Sequence, residues 1–266
     1  MALAHRSKLN INDKQVEVYS WGNGARPVLI LHGWSSRAAK FTNMINALIE
    51  AGYSPIGFDA PAHGESSGSS TTILEYEEIC RCLAHEYGAF KAMIGHSFGV
   101  LGLFKALKSA VPAEKVVAIS GVCDFSYLEE AFSKELRLSE SVRDNLRCRI
   151  ERLFFPVDDI WQNFSVSYGA EKLNLPILLV HDEADDVVDP SQAEKIIEAY
   201  DGNVEMYKTR GLGHSRTISD KEVIGKVVDF ISLSSMTLDS ASDEEVMSLK
   251  QIKAGSPNSS LLRKIQ

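Results

Sequence analysis

Apolar and polar residues alternate through LNIND and QVEVYSW, a period-2 pattern that predicts an antiparallel hairpin with Val16, Val18 and Trp21 facing inward. PVLILHG, at 27–33, is nearly continuous in its apolar character, as expected of a strand buried on both faces. The period then changes. Phe41, Met44, Ile45, Leu48 and Ile49 recur at helical spacing over 37–50, and Gly52 closes the run. YSPIGFDA, FKAMIGHS, VVAIS, PILLVHD and NVEMYKT read as further strands. Helical patterns occupy 73–87, 98–109, 191–200 and 219–232.

Strands alternating with helices predict an α/β fold, a mostly parallel sheet covered by helices on both faces. Residues 124–172 interrupt the alternation. They hold no good strand and several aromatic and arginine residues, and are expected to form a small helical cap, or lid, over the carboxyl edge of the sheet, where open α/β sheets bind ligands. The core is thus assigned to 1–123 and 173–233. From Ser234 the chain turns serine-rich and polar; 234–266 is expected to be a mobile tail, with one short helix around 243–252.

Composition narrows the function classes. A chain of 266 residues with 44% hydrophobic and 24% charged residues is ordinary for a globular protein. Its formal net charge of −8 gives no basic footprint, so no nucleic-acid partner is expected. The N-terminus lacks the apolar core of a signal peptide, and no run reaches membrane-spanning length. Cys80, Cys82, Cys123 and Cys148 have neither metal-site spacing nor a disulfide framework, consistent with reduced thiols in a cytoplasmic protein. No metal or cofactor is expected, and the sequence fixes no oligomeric state.

The chemistry concentrates in GHSFG, 95–99, between the strand pattern AMI and the helix pattern VLGLFKAL. This is the setting of a nucleophile elbow, in which a tight turn projects a serine, here Ser97, above the sheet. The plainer alternative is a structural turn serine. A serine hydroxyl needs a base; His214, in the glycine-rich loop RGLGHSR after the last strand, is the candidate, against the reading of a surface histidine. The acid is drawn from HDEADDVVDP, which offers Asp182, Glu183, Asp185, Asp186 and Asp189. Asp185 is favoured by its place a few residues past the strand end, and Asp124, after VVAIS, is the outside alternative. Backbone N–H groups of Phe98 and Trp34 are the expected oxyanion donors. His32, His63 and His96 read as packing and turn-bonding residues. Trp34, Phe98 and, in the insertion, Phe154, Phe155 and Trp161 are candidate substrate contacts. Arg143, Arg147, Arg149 and Arg152 would either recognise an acidic group or form a solvated face balanced by Asp144 and Glu151.

HGW at 32–34, FDAPAHGES at 58–66, GHSFG, the HDEADDVV loop and the GLGH loop together resemble the α/β-hydrolase family, from about residue 15 to 232. The resemblance implies an eight-stranded sheet with the second strand antiparallel, the cap inserted after the sixth strand, and Ser97, Asp185 and His214 as catalytic triad. It departs from the family at Asp182, where glycine is usual, and at Ala62. The function it implies is a serine hydrolase acting on a small-molecule carboxylic ester of short to medium acyl length. Alternatives are thioester, C–C bond, perhydrolase or acyltransferase chemistry, or a small-molecule receptor with slow or no turnover.

Overall fold

The computed structural model describes residues 4–233; the tail and its expected short helix lie outside them. The opening alternation folds as a hairpin, β1 (His5–Ile11) against β2 (Lys14–Ser20). Asn12 and Asp13 turn it with φ of 47° and 62°. A two-residue hairpin turn of type I′ needs positive φ at both positions, which Asn and Asp tolerate better than other side chains.

Six strands follow: β3 (Pro27–Leu31), β4 (Ser54–Phe58), β5 (Ala92–His96), β6 (Val116–Ile119), β7 (Ile177–Asp182) and β8 (Val204–Thr209). The sheet has eight strands in the order β1-β2-β4-β3-β5-β6-β7-β8. β2 is antiparallel to both its neighbours, and β3 to β8 are mutually parallel. The chain builds outward from β3 to β4, then returns to place β5 on β3's other side. The switch point therefore falls between the carboxyl ends of β3 and β5, where α/β sheets open a crevice.

The near-continuous apolar strands are buried on both faces. Leu29, Leu31 and Met93 join one core with α2 (Ile73–Tyr87) and α3 (Phe98–Lys108). Val28, Ile30, Ile94, Val117 and Val180 join the other, with α1 (Thr42–Glu50) and α9 (Lys221–Ser232). α9 shows how one stripe holds a helix: Val223, Ile224, Val227, Phe230 and Ile231 are all buried. Burying each such side chain is worth about 1.5–3 kcal/mol. Lys115 Nζ then donates to the Phe230 carbonyl at 2.6 Å, placing a cation at the helix's negative end. The pattern over 37–50 divides into a short 3-10 turn, Ala38–Phe41, and α1.

Between β6 and β7 lie α4 (Phe125–Glu135), α5 (Glu140–Leu153) and α6 (Ile160–Asn163). This insertion is fastened at its root. Gln192 Oε1, on α7 (Ser191–Ala199), accepts from the amides of Cys123 (3.0 Å) and Asp124 (2.9 Å), and Ser165 Oγ accepts from the Phe125 amide at 2.9 Å. Phe125, Phe154 and Phe164 pack edge to face, with ring centroids 4.9–6.1 Å apart. α5 contributes no buried residue. Among the described residues no helix is long and apolar enough to cross a membrane.

Candidate active site

Ser97 stands where β5 becomes α3, with φ 55° and ψ −123°. A non-glycine residue in such a region stores about 1–3 kcal/mol of strain. The surroundings hold it there. Its amide donates to the Ile119 carbonyl of β6 at 3.0 Å. A Cβ on Gly99 would lie 2.4 Å from the Leu31 carbonyl oxygen, and one on Gly95 would lie 3.0 Å from the Gly99 backbone. The two flanking glycines are thus dictated by close backbone approach, which lets α3 start directly beside the end of β3. Gly33 is pressed against the serine in the same way, since a Cβ there would come within 2.8 Å of Ser97 Cβ.

The β3 loop and the start of α3 consequently meet at the serine. The amides of Trp34 and Phe98 donate no hydrogen bond among the described residues, and Phe98 opens α3, where unpaired N–H groups gather. The Trp34 and Phe98 rings touch edge to face with centroids 6.0 Å apart, and Trp34 is 61% exposed.

His214 lies in the short helix α8 (Gly213–Arg216) that follows β8. Its Nδ1 is 2.9 Å from Asp185 Oδ2 and 3.1 Å from Oδ1. The carboxylate requires a proton on Nδ1, so in the neutral imidazole Nε2 is the acceptor nitrogen. Asp185 is anchored in turn, because Oδ1 accepts from the amides of Val187 (3.0 Å) and Val188 (2.9 Å). Burial opposes its charge, but His214 and those two amides outweigh burial and hold the carboxyl below the usual carboxylate range. His181 Nε2 donates to the Val188 carbonyl at 2.9 Å, bracing the same turn.

Ser97 Oγ makes no hydrogen bond among the described residues; it is His96, the residue before the serine, that touches His214. The His96 ring lies 4.7 Å from the His214 ring, centroid to centroid, and its Nε2 donates to the His214 carbonyl at 3.0 Å. Catalytic hydrogen bonds commonly tighten only when substrate binds.

The remaining carboxylates are engaged elsewhere. Asp124 pairs with Lys195, Glu183 with Arg210, and Asp189 caps the Ser191 amide at 2.9 Å. Asp186 is exposed. His32 Nε2 accepts from the Ala60 amide at 2.9 Å while its Nδ1 donates to the Gly33 carbonyl at 2.7 Å. His63 Nε2 accepts from the Ser35 amide at 3.1 Å. These two rings shape the loop that carries Trp34. Among the described residues no group of three or more His, Cys, Asp or Glu is placed to hold a metal ion.

The insertion residues scatter. Phe154 is buried in the Phe125–Phe164 cluster, and Phe155 is 83% exposed. Trp161 stacks beneath the Arg147 guanidinium at 4.0 Å and donates from Nε1 to Glu151 at 2.7 Å. Among the described contacts none of the three touches Ser97 or His214. Arg143 and Arg147 are balanced by Glu129 of α4, at 3.2 and 3.1 Å, and not by Asp144 or Glu151.

Sequence reasoning weighed Asp182 only as a candidate acid and as a departure from the resembled family, not as an anchor. It is fully buried at the end of β7 and accepts from the amides of Ala184 (3.0 Å), Gly211 (3.2 Å) and Leu212 (2.9 Å) and from the Thr209 hydroxyl (2.8 Å). The signal was present: an acid closing a fully buried strand, where the resembled family has glycine.

A mostly parallel eight-stranded sheet, a strained serine at the turn from its fifth strand, and an Asp–His pair at the neighbouring strand ends define an α/β-hydrolase fold. The chain belongs to the alpha/beta hydrolase family, which it matches over residues 28–225. Similar solved structures include the esterase Pf2001 of Pyrococcus furiosus, with TM-score 0.66 and 23% identity over 86% of this chain and 92% of that one. The esterase RhEst1 of Rhodococcus sp. ECU1013 gives 0.66 and 18%, over 86% and 98%. The monoacylglycerol lipase of Paleococcus ferrophilus gives 0.63 and 21%, over 81% and 98%. At these identities the likeness is one of fold. The non-heme chloroperoxidase CPO-A1 of Kitasatospora aureofaciens is 37% identical over 54 residues, 20% of this chain and 19% of that protein, so the match spans about a fifth of that relative.

Proposed function

We propose that the chain is a serine hydrolase that cleaves small-molecule carboxylic esters of short to medium acyl length through an acyl-enzyme. The observation that carries this reading is the Asp185–His214 pair, which in the neutral imidazole makes Nε2 the acceptor, on a ring packed against His96 beside the elbow. Ser97 Oγ attacks the ester carbonyl carbon and its proton passes to Nε2. The Trp34 and Phe98 amides receive the negative oxygen of the tetrahedral intermediate. His214 then protonates the leaving alcohol, Asp185 stabilises the imidazolium, and water repeats the sequence to free the acid.

Residues 1–123 and 173–233 are the catalytic core in this reading, and 124–172 the cap that screens substrates. Trp34 and Phe98 wall the reacting centre. Of the three cap residues named, Phe155 and Trp161 have surface to offer a substrate, and Phe154 is buried behind them.

A fluorophosphonate probe is expected to add once, at Ser97, and Ser97→Ala to abolish both labelling and turnover on a panel of esters graded in acyl length. Labelling that survives the substitution overturns the nucleophile. Single labelling without steady turnover on any ester points instead to a receptor built on the same fold.

A further inference from the structure

We propose that Asp182 is a positioning residue that sets the spacing between Asp185 and His214; this rests on the catalytic reading of that pair. The side chain belongs to β7 and reaches the loop after β8. Oδ1 accepts from the Gly211 amide at 3.2 Å and Oδ2 from the Leu212 amide at 2.9 Å, three and two residues before His214. The main chain of the same residue serves the other partner, since the Asp182 carbonyl accepts from the Asp185 amide at 3.1 Å. One residue thus bonds the acid's turn through its backbone and the base's turn through its carboxylate.

The carbonyls of this loop are held elsewhere, since His96 Nε2 and Thr217 Oγ1 each donate to the His214 carbonyl at 3.0 Å and the Arg216 guanidinium donates to the Leu212 carbonyl at 2.7 Å; its Gly211 and Leu212 amides are held by Asp182. Gly211 and Gly213 have φ of 81° and 64°, and a Cβ on either would meet nothing within 4 Å. They serve backbone freedom, not close packing. Consecutive amides converging on an anion form a concave binding nest. Among the described residues no lysine or arginine pairs with Asp182, so its charge is satisfied by these donors. Burial opposes ionisation, but the Leu212 amide, the Thr209 hydroxyl and the Gly213 and Ala184 amides outweigh it and hold the carboxyl at about 2. A glycine at 182 would keep the backbone bond to Asp185 and lose the bonds to the Gly211 and Leu212 amides.

The test is Asp182→Asn in the full chain. Its amide –NH2 would face the Leu212 N–H, donor against donor, and push the loop away. Small displacements of catalytic groups cost up to about 100-fold. A fall in kcat of about 10- to 100-fold with KM for a small ester unchanged is expected, measured where circular dichroism shows the variant fully folded. The low-field proton resonance of His214 Nδ1–H, which reports the bond to Asp185, is expected to vanish or broaden. Should Asp182→Asn not fold, Thr209→Val removes a single donor to Oδ2 and is expected to weaken kcat and that resonance in the same direction, to a smaller degree. A folded variant with wild-type kcat and an unaltered resonance overturns the proposal. The resonance reports a bond that does not involve Ser97 and is expected to persist in Ser97→Ala, so failure of the catalytic reading is seen separately, as ester turnover that survives that substitution.

Discussion

Asp185 and His214 are 29 positions apart in the chain, yet both carboxylate oxygens lie within 3.1 Å of the imidazole Nδ1. The contact exists because β7 and β8 are parallel neighbours whose carboxyl ends release both loops on one edge of the sheet.

Asp185→Asn is expected to lower kcat by about three to four orders of magnitude with the fold intact, because the side-chain amide no longer selects the Nδ1–H tautomer. Asp124→Asn, which loses only its pairing with Lys195, is expected to change kcat less than about threefold. Steady-state kinetics on one soluble ester separates the two; a damaging Asp124→Asn with a benign Asp185→Asn would move the acid to the end of β6.

Gly99→Ala tests the close approach beneath the elbow. Its Cβ would stand 2.4 Å from the Leu31 carbonyl oxygen, a backbone atom that cannot swing away. Overpacking of this kind costs about 1–3 kcal/mol or more, and urea denaturation is expected to show at least that loss. Gly225→Ala, where a Cβ meets nothing within 4 Å, is the control and is expected to be neutral or slightly stabilising.

Two buried histidines predict acid sensitivity. Burial pushes His32 down to about 4; burial, aided by the neighbouring His214 imidazole, does the same to His96. Between pH 6.5 and 4 the unfolded chain binds protons that the folded chain refuses, so stability is full above that window and is lost as pH falls through it. Shifts of this size are worth on the order of 3 kcal/mol each. Urea midpoints taken from pH 7 to pH 4.5 are expected to fall steadily, and His96→Gln is expected to flatten the slope. An equal slope in that variant removes His96 from the account.

Glu129 fastens α4 to α5. Its side chain is buried and faces Arg143, Arg147 and the Ser133 hydroxyl. Glu129→Gln is expected to cost about 1–3 kcal/mol, with the arginines' exposure moderating the loss. Hydrogen exchange should quicken in 125–153, while fluorophosphonate labelling of Ser97 keeps its rate. Unchanged exchange there would show that the ion pairs add nothing to the insertion's order.

The sequence alone determined the sheet, most of its helices and the place of the serine. These depend on short-range physics: apolar period, turn chemistry at Asn12–Asp13, and glycines spaced around Ser97 so that two backbones can touch. It also favoured Asp185 among the candidate acids, with Asp124, after the sixth strand, left as the alternative. Position past the strand end favoured Asp185 among five carboxylates within eight residues, but its contact with His214 is tertiary, because it depends on the register of β7 on β8. The same holds for Asp182, whose partners Thr209, Gly211 and Leu212 lie 27 to 30 positions away, and for Arg143 and Arg147, whose partner Glu129 sits on another helix. A charged side chain is solvated until the fold supplies its donors, and which donors arrive is decided by strand order and loop placement.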